Sequence, residues 1–151
     1  MEGNLKSIVA CTVSPEDTDG YGHLNNARYS EYFEKGRVDL LESFGLGVDE
    51  LKKEGVGFWV RSAHIRYISQ VSGNSKVVIH SRFMDYSKGA VIRMEQEMVC
   101  RGELMASSVT EHFFVKLNGK NPKPIKPLER IIEMLQNKLH PAVNGYSGNS
   151  S

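Results

Sequence analysis

The chain has 151 residues, a 40% hydrophobic share and a 25% charged share, the proportions of an ordinary globular protein long enough to bury its own core. Nineteen basic and 18 acidic residues leave a formal net charge of +1, mixed along the chain without a basic block. A nucleic-acid partner calls for a concentrated positive field, so that class is excluded.

From the start, Met1–Lys6 shows no basic patch followed by an apolar stretch, and no segment approaches the ~20 apolar residues of a membrane span. The expectation is no membrane association and a cytoplasmic location. Lys6 to Val13, rich in β-branched and small residues, predicts a first strand, and Ser14-Pro15-Glu16-Asp17 stops it. A glycine-spaced loop runs from Thr18 to Leu24. A long helix is then expected from about Asn25 to Phe44, with Asn25 as its cap and Gly45 as its stop. Tyr29, Tyr32/Phe33, Gly36, Leu40/Leu41 and Phe44 recur on one face. Gly36 costs helix stability there, which predicts close approach to another backbone.

Val48 to Glu54 predicts a short helical turn, after which the period changes to two. Four strands are expected: one around Phe58 to Tyr67, then Lys76 to Met84, Val91 to Val99 and Leu104 to Val115. The turns between the last strands fall at Ser72-Gly73-Asn74, Ser87-Lys88-Gly89 and Arg101-Gly102, and Asn118-Gly119-Lys120 closes the fourth strand. Together they predict an antiparallel meander. Gln96 shares the apolar face of its strand with Ile92, Met94 and Met98. Pro127 opens a final helix with Leu128, Ile131, Ile132, Leu135 and Leu139 apolar. The expected layout is α+β: residues 1–139 as one domain with a curved antiparallel sheet around one central helix, and 140–151 as a polar flexible tail.

Cys11 and Cys100 lie in strand-like runs without Cys-x-x-Cys spacing; free buried thiols and a cross-strand disulfide are both open readings. His64, His80 and His112 fall on three strands without ligand spacing, so no metal and no cofactor is expected. Trp59, Tyr67 and Phe113 read as core or interface aromatics, one of which could line an acyl tunnel.

The loop from Glu16 to Asn26 gathers carboxylates, glycines, an imidazole and two amides in eleven residues, ending at a helix N-terminus. Glycine lets a ligand approach the backbone, and the helix start offers unpaired N–H groups to a developing oxyanion. A carboxylate beside them can activate water or attack a carbonyl. Asp19 is equally able to shape a turn. His23 can hydrogen-bond the loop or line the site, and Asn25 reads as a cap before it reads as a ligand contact.

The run Asp-x-Asp-x-x-Gly-His-Leu-Asn-Asn-Ala-x-Tyr, Asp17 to Tyr29, followed by a helix through Arg37, resembles the hotdog-fold acyl-CoA thioesterases of the 4-hydroxybenzoyl-CoA thioesterase type. The plant acyl-ACP thioesterases are similar in this region. The resemblance covers roughly residues 5 to 135 and implies the hotdog fold. It implies Asp19 as catalytic carboxylate and the N–H near Asn26 as oxyanion site; Gly22, His23, Asn25 and Tyr29 are further candidates to line the substrate site, Tyr29 reading equally as core. It further implies a homodimer or homotetramer with active sites between subunits. Where the family often has Pro or Gln after the catalytic Asp, this chain has Gly20.

The expected function is hydrolysis of an acyl-CoA thioester to free acid and CoA. The alternatives are an acyl-ACP thioesterase and a non-catalytic acyl-CoA-binding module; a hotdog hydratase fits the motif order poorly. Arg61, Arg66, Lys76 and Arg82 are candidates to meet CoA phosphates or an acidic carrier protein.

Overall fold

The computed structural model describes residues 6–87, 91–118, 123–126 and 129–139. The expected turn residues Lys88, Gly89, Gly119 and Lys120, the helix-opening Pro127 and Leu128, and the tail 140–151 lie outside the described residues.

Among the described residues, six strands form one antiparallel sheet: β1 (Lys6–Thr12), β2 (Val56–Tyr67), β3 (Lys76–Ser87), β4 (Val91–Cys100), β5 (Glu103–Lys116) and the short β6 (Pro124–Ile125). Three helices accompany it: α1 (Tyr29–Ser43), α2 (Val48–Lys53) and α3 (Glu129–Leu139). The strand order is β1-β3-β4-β5-β2, with β6 beside β5. This corrects the expected meander. β3, β4 and β5 do follow one another, but β2 pairs with β5 at the far edge and β1 takes the place beside β3. Period-two patterning shows that a segment is a strand and which face it buries; it carries no information on its neighbour. Residue register slips at Val60/Ser62, Phe83/Asp85 and Met98/Val99. Such bulges bend strands and sharpen their twist, which curves the sheet around α1.

α1 lies in the concavity and buries Tyr29, Tyr32, Phe33, Gly36 and Leu40, the stripe expected from the sequence. The helical path starts later than expected: Asn26–Arg28 make a 3-10 turn before the α-helix proper. Asn25 caps that turn, its Oδ1 accepting from the Ala27 N–H at 3.0 Å. Gly45 ends the helix with φ +72°, in the left-handed region where glycine is unstrained.

One apolar cluster contains Val13, Leu24, Tyr29, Tyr32, Phe33, Val71, Val77, Ile79 and Met98. It joins the Thr18–Leu24 loop to the first turns of α1. A second, with Leu40, Leu51, Phe83, Met94, Phe114, Ile131 and Leu135, fixes the other end of the helix and α3. Cys11 and Cys100 are both free thiols. Among the described residues, no helix is long and apolar enough to cross a membrane.

Candidate active site

The loop before α1 is a closed structure held by its own backbone. Pro15–Asp17 form a 3-10 turn, and Thr18 pairs with Leu24 in an isolated bridge. Inside that bridge the Asp19 N–H donates to His23 O at 2.8 Å, and the Gly22 N–H donates to Asp19 O at 3.1 Å. Gly22 makes the turn possible with φ +78°. Gly20 has no such need, since its φ is not left-handed and a Cβ there would meet nothing within 4 Å.

A second layer fastens this loop to residues 71–73. The Leu24 N–H donates to Val71 O at 2.7 Å, and the Gly73 N–H to Gly22 O at 3.0 Å. A Cβ on Gly73 would come within 3.0 Å of Thr18 Cγ2, so a side chain there would push the loop away.

The result is a fixed carboxylate. Asp19 Oδ1 accepts from the Tyr21 N–H at 2.8 Å and the His23 N–H at 3.1 Å. These two donors, the His23 N–H first, pull the Asp19 pKa below its ordinary value of 3.8. Asp19 thus adopts the turn-shaping geometry and remains a carboxylate at neutral pH. Because both bonds fall on one oxygen, the other can face a substrate.

A cleft of about 320 Å³ opens beside this carboxylate, lined by Asp19, Asn26, Tyr29, Tyr67, Ser69 and Gln70 among others. Asn26 is the first residue of the 3-10 turn, and among the described residues its N–H has no acceptor. Its carbonyl accepts from the Tyr67 hydroxyl at 3.1 Å. Tyr67 also stands edge-on to Tyr29, ring centroids 4.9 Å apart. Burial, followed by the charges of Tyr67 and Asp19, raises the Tyr29 pKa, which keeps it a neutral phenol.

Three candidates stand outside the cleft lining: Gly22 in the turn, His23 with its backbone N–H on Asp19, and Asn25 at the cap. Asp17 faces the helix, its Oδ2 accepting from the Tyr32 hydroxyl at 2.6 Å. Of the candidate cations, Arg82 pairs with Glu95 at 2.8 Å and Arg61 with Glu111 at 3.7 Å. None of the four lines the cleft, although Arg66 precedes Tyr67, which does.

Sequence reasoning missed Ser69 and Gln70 and placed Tyr67 among three core or interface aromatics, one of which could line an acyl tunnel. They come from the end of β2 and the segment after it, far along the chain from Asp19. The one available signal was an aromatic at a strand end. A larger cavity, about 700 Å³, lies beside β1 among Ile8, His80, Arg82, Glu95 and Glu97. The Arg82–Glu95 pair compensates charge there, and no carboxylate is held by backbone donors, so the smaller cleft is the better chemical site.

Comparison with known proteins shows the family. Residues 13–139 match the sequence model of the thioesterase-like superfamily. A chloroplastic acyl-acyl carrier protein thioesterase of Arabidopsis thaliana is 27% identical over 133 residues, covering 88% of this chain and 60% of its own length. The acyl-CoA thioesterase YbgC of Haemophilus influenzae is 30% identical over 96 residues, 63% of this chain and 69% of its own. The chain thus spans about 60% of the length of the plant relative.

Among solved structures, DHNA-CoA thioesterase from Staphylococcus aureus superposes with a TM-score of 0.78 at 21% identity, covering 94% of this chain and 95% of that one. The 4-hydroxybenzoyl-CoA thioesterase of Pseudomonas sp. strain CBS-3 also gives 0.78, at 12% identity, covering 85% and 98%. At such identities the likeness concerns the fold alone, and that fold is the hotdog. The chain belongs to the thioesterase-like superfamily of hotdog-fold enzymes.

Proposed function

We propose that the protein hydrolyses acyl-CoA thioesters to free acid and CoA in the Asp19 cleft. The observation that carries this reading is a pairing within one cleft: a carboxylate held ionised by two backbone N–H groups, and the unpaired N–H of Asn26 at the helix start. A thioester oxygen placed against that N–H gains negative charge where a donor and the helix dipole are already aimed.

Asp19 then has two routes. As general base it takes a proton from water while the water oxygen bonds to the carbonyl carbon. Collapse of the tetrahedral intermediate breaks the C–S bond, and the CoA thiolate recovers the proton from Asp19. As nucleophile, Asp19 forms a mixed anhydride with the acyl group and expels the thiolate; water then hydrolyses the anhydride. In either route the His23 N–H orients the carboxylate, Gly22 allows the turn, Asn25 caps the Asn26 turn, and Tyr29 walls the cleft.

The test is Asp19→Asn assayed by thiol release over short, long, branched and aromatic acyl-CoAs. The variant should fold normally and lose at least about 100-fold in turnover. Wild-type turnover across the panel would remove Asp19 from the chemistry. Tight acyl-CoA binding with no thiol release by the wild-type protein would favour the non-catalytic module.

The similarity to the plant protein favours a second reading, in which the acyl group arrives on an acyl carrier protein. Matched acyl-CoA and acyl-ACP substrates separate the two.

A second copy of the chain belongs to this proposal. β5 is the strand neighbour of β2, whose other edge carries no strand among the described residues. Trp59, Val60, Tyr67 and Ile68 along it are 44–52% exposed. A long apolar strand edge is a pairing surface. It supports a homodimer, or a homotetramer built from two, and light scattering of the purified protein reads the state directly. The free thiols Cys11 and Cys100 suit the reducing cytoplasm.

A further inference from the structure

We propose that Gln96, which touches nothing in the Asp19 cleft, is a positioning residue for thioester cleavage, acting through α1. The inference rests on the reading that the N–H at the start of the helix holds the thioester oxygen.

Gln96 sits on β4 at 1% exposure, in the middle of the concave face. Its Nε2 donates to the backbone carbonyl of Phe33 at 2.7 Å and to Ser81 Oγ on β3 at 2.8 Å. Its Oε1 accepts from Arg37 Nη1 at 3.2 Å. Both amide hydrogens and the amide oxygen are therefore engaged, and the group has one orientation. On β1, beyond β3, Ser7 Oγ donates to Gly36 O at 3.4 Å. Strands β1, β3 and β4 thus grip one turn of α1, Phe33 to Arg37.

The backbone of the helix comes unusually near the sheet at this turn. A Cβ on Gly36 would lie 2.5 Å from Ser81 Oγ, 2.7 Å from Ile79 Cγ2 and 2.8 Å from Gln96 Nε2. The close approach is what lets a side chain of the sheet reach a helix carbonyl that already serves the intrahelical ladder through its other lone pair.

Apolar packing alone would hold α1 down without fixing its slide or its rotation, because burial is non-directional. A hydrogen bond to a particular carbonyl is directional, and an unmade one is costly in a buried place. Phe33 stands seven positions after Asn26, three of them in the 3-10 turn at about 2.0 Å and four in α1 at about 1.5 Å per residue, roughly 12 Å in all. A helix is stiff over two turns, so the grip at Phe33 sets where the Asn26 N–H points relative to Asp19. A displacement of about 1 Å at a reacting centre can cost up to 100-fold in rate. The loop carrying Asp19 is fastened to residues 71–73 as well as to α1 through Tyr32, so a shift of the helix strains that tie and changes the spacing between the Asn26 N–H and Asp19.

The experiment is Gln96→Met, which keeps the length and removes all three bonds. It is assayed for thiol release, thermal stability and binding of an S-alkyl-CoA thioether, which has no carbonyl to polarise. Expected are a kcat lower by about tenfold or more, a KM and thioether affinity within twofold, and a melting temperature lowered by the unmade bonds but still above the assay temperature. Should Gln96→Met not fold, Ser81→Ala frees one side of the amide at smaller structural cost, and the same split of kcat from KM is expected at smaller size. Wild-type kcat in the folded variant overturns the proposal. So does a loss of kcat matched by the loss of folded protein, or one shared equally with thioether binding. An active wild-type protein with inactive Asp19→Asn and unimpaired Gln96→Met sinks this inference alone. Loss of the thioesterase reading itself shows instead as no thiol release by the wild-type protein.

Discussion

The hydroxyl of Tyr32 ties the Asp19 loop to the helix behind it, donating to Asp17 Oδ2 at 2.6 Å while accepting from the Ser14 N–H at 3.1 Å. Tyr32 is itself 1% exposed. This phenol therefore joins the end of β1, the loop and the first turn of α1 at one oxygen. Tyr32→Phe keeps the ring and leaves two groups without their partner. A bond to a charged group is worth roughly 1.5–3 kcal/mol, so urea unfolding should register a loss of that order. With the loop freed from the helix, kcat should fall more than KM rises.

The carboxylate of Asp19 predicts the acid limb of the pH profile. Its pKa is lowered in the folded protein by the His23 and Tyr21 N–H groups. A depressed carboxylate pKa means the active, ionised form survives below the pH at which a free aspartate protonates. The kcat/KM profile should thus stay flat from neutral pH downward and bend only below 3.8, as far as the fold permits. A limb near 5 or above would mean another group governs the reaction.

His112 predicts a stability change with the same sign and a different window. Burial, with a smaller push from Arg37, lowers its pKa to about 3 from an ordinary 6.5. The ring stacks on Phe58 and contacts Thr110 Oγ1 at 2.8 Å. Between those two values the unfolded chain binds a proton that the folded chain does not, so stability falls as pH drops through the interval. The slope approaches about 1.4 kcal/mol per pH unit for one such group. Chemical denaturation between pH 7 and pH 4 measures it, and His112→Gln should flatten the dependence.

Gly36 predicts a cost where helix propensity alone predicts a gain. Alanine in place of an interior glycine favours a helix by about 1 kcal/mol. Here the added methyl meets Ser81, Ile79 and Gln96, of which the first two are short or branched and cannot swing aside. Overpacking costs about 1–3 kcal/mol. Gly36→Ala should therefore be destabilised on thermal unfolding, by up to about 2 kcal/mol net.

Asn25 predicts an effect through the local backbone. Its Oδ1 satisfies the Ala27 N–H at the start of the turn that carries Asn26. Removing such a cap costs about 0.5–2 kcal/mol. Asn25→Ala should fray Asn26–Arg28, visible as faster amide exchange there, with reduced thiol release.

Much of the molecule is legible along the chain because its causes are local. The cap at Asn25, the stop at Gly45, the buried stripe of α1 and the near contact at Gly36 each follow from backbone sterics or a short period. The run Asp17 to Asn26 reads as a polar loop before a helix, and its resemblance to known thioesterases directs attention to Asp19. Strand pairing is a long-range matter. Nothing in the alternation of β2 says that it joins β5 rather than β3, because the same inward face is compatible with either neighbour. For the same reason Tyr67, Ser69 and Gln70 reach the cleft only once β2 has its place at the far edge. Gln96 shows the boundary best: the sequence by itself puts it on an apolar face. Only the tertiary structure supplies Phe33, Ser81 and Arg37 as its partners, because a directional bond needs atoms that different strands and a helix bring to one point.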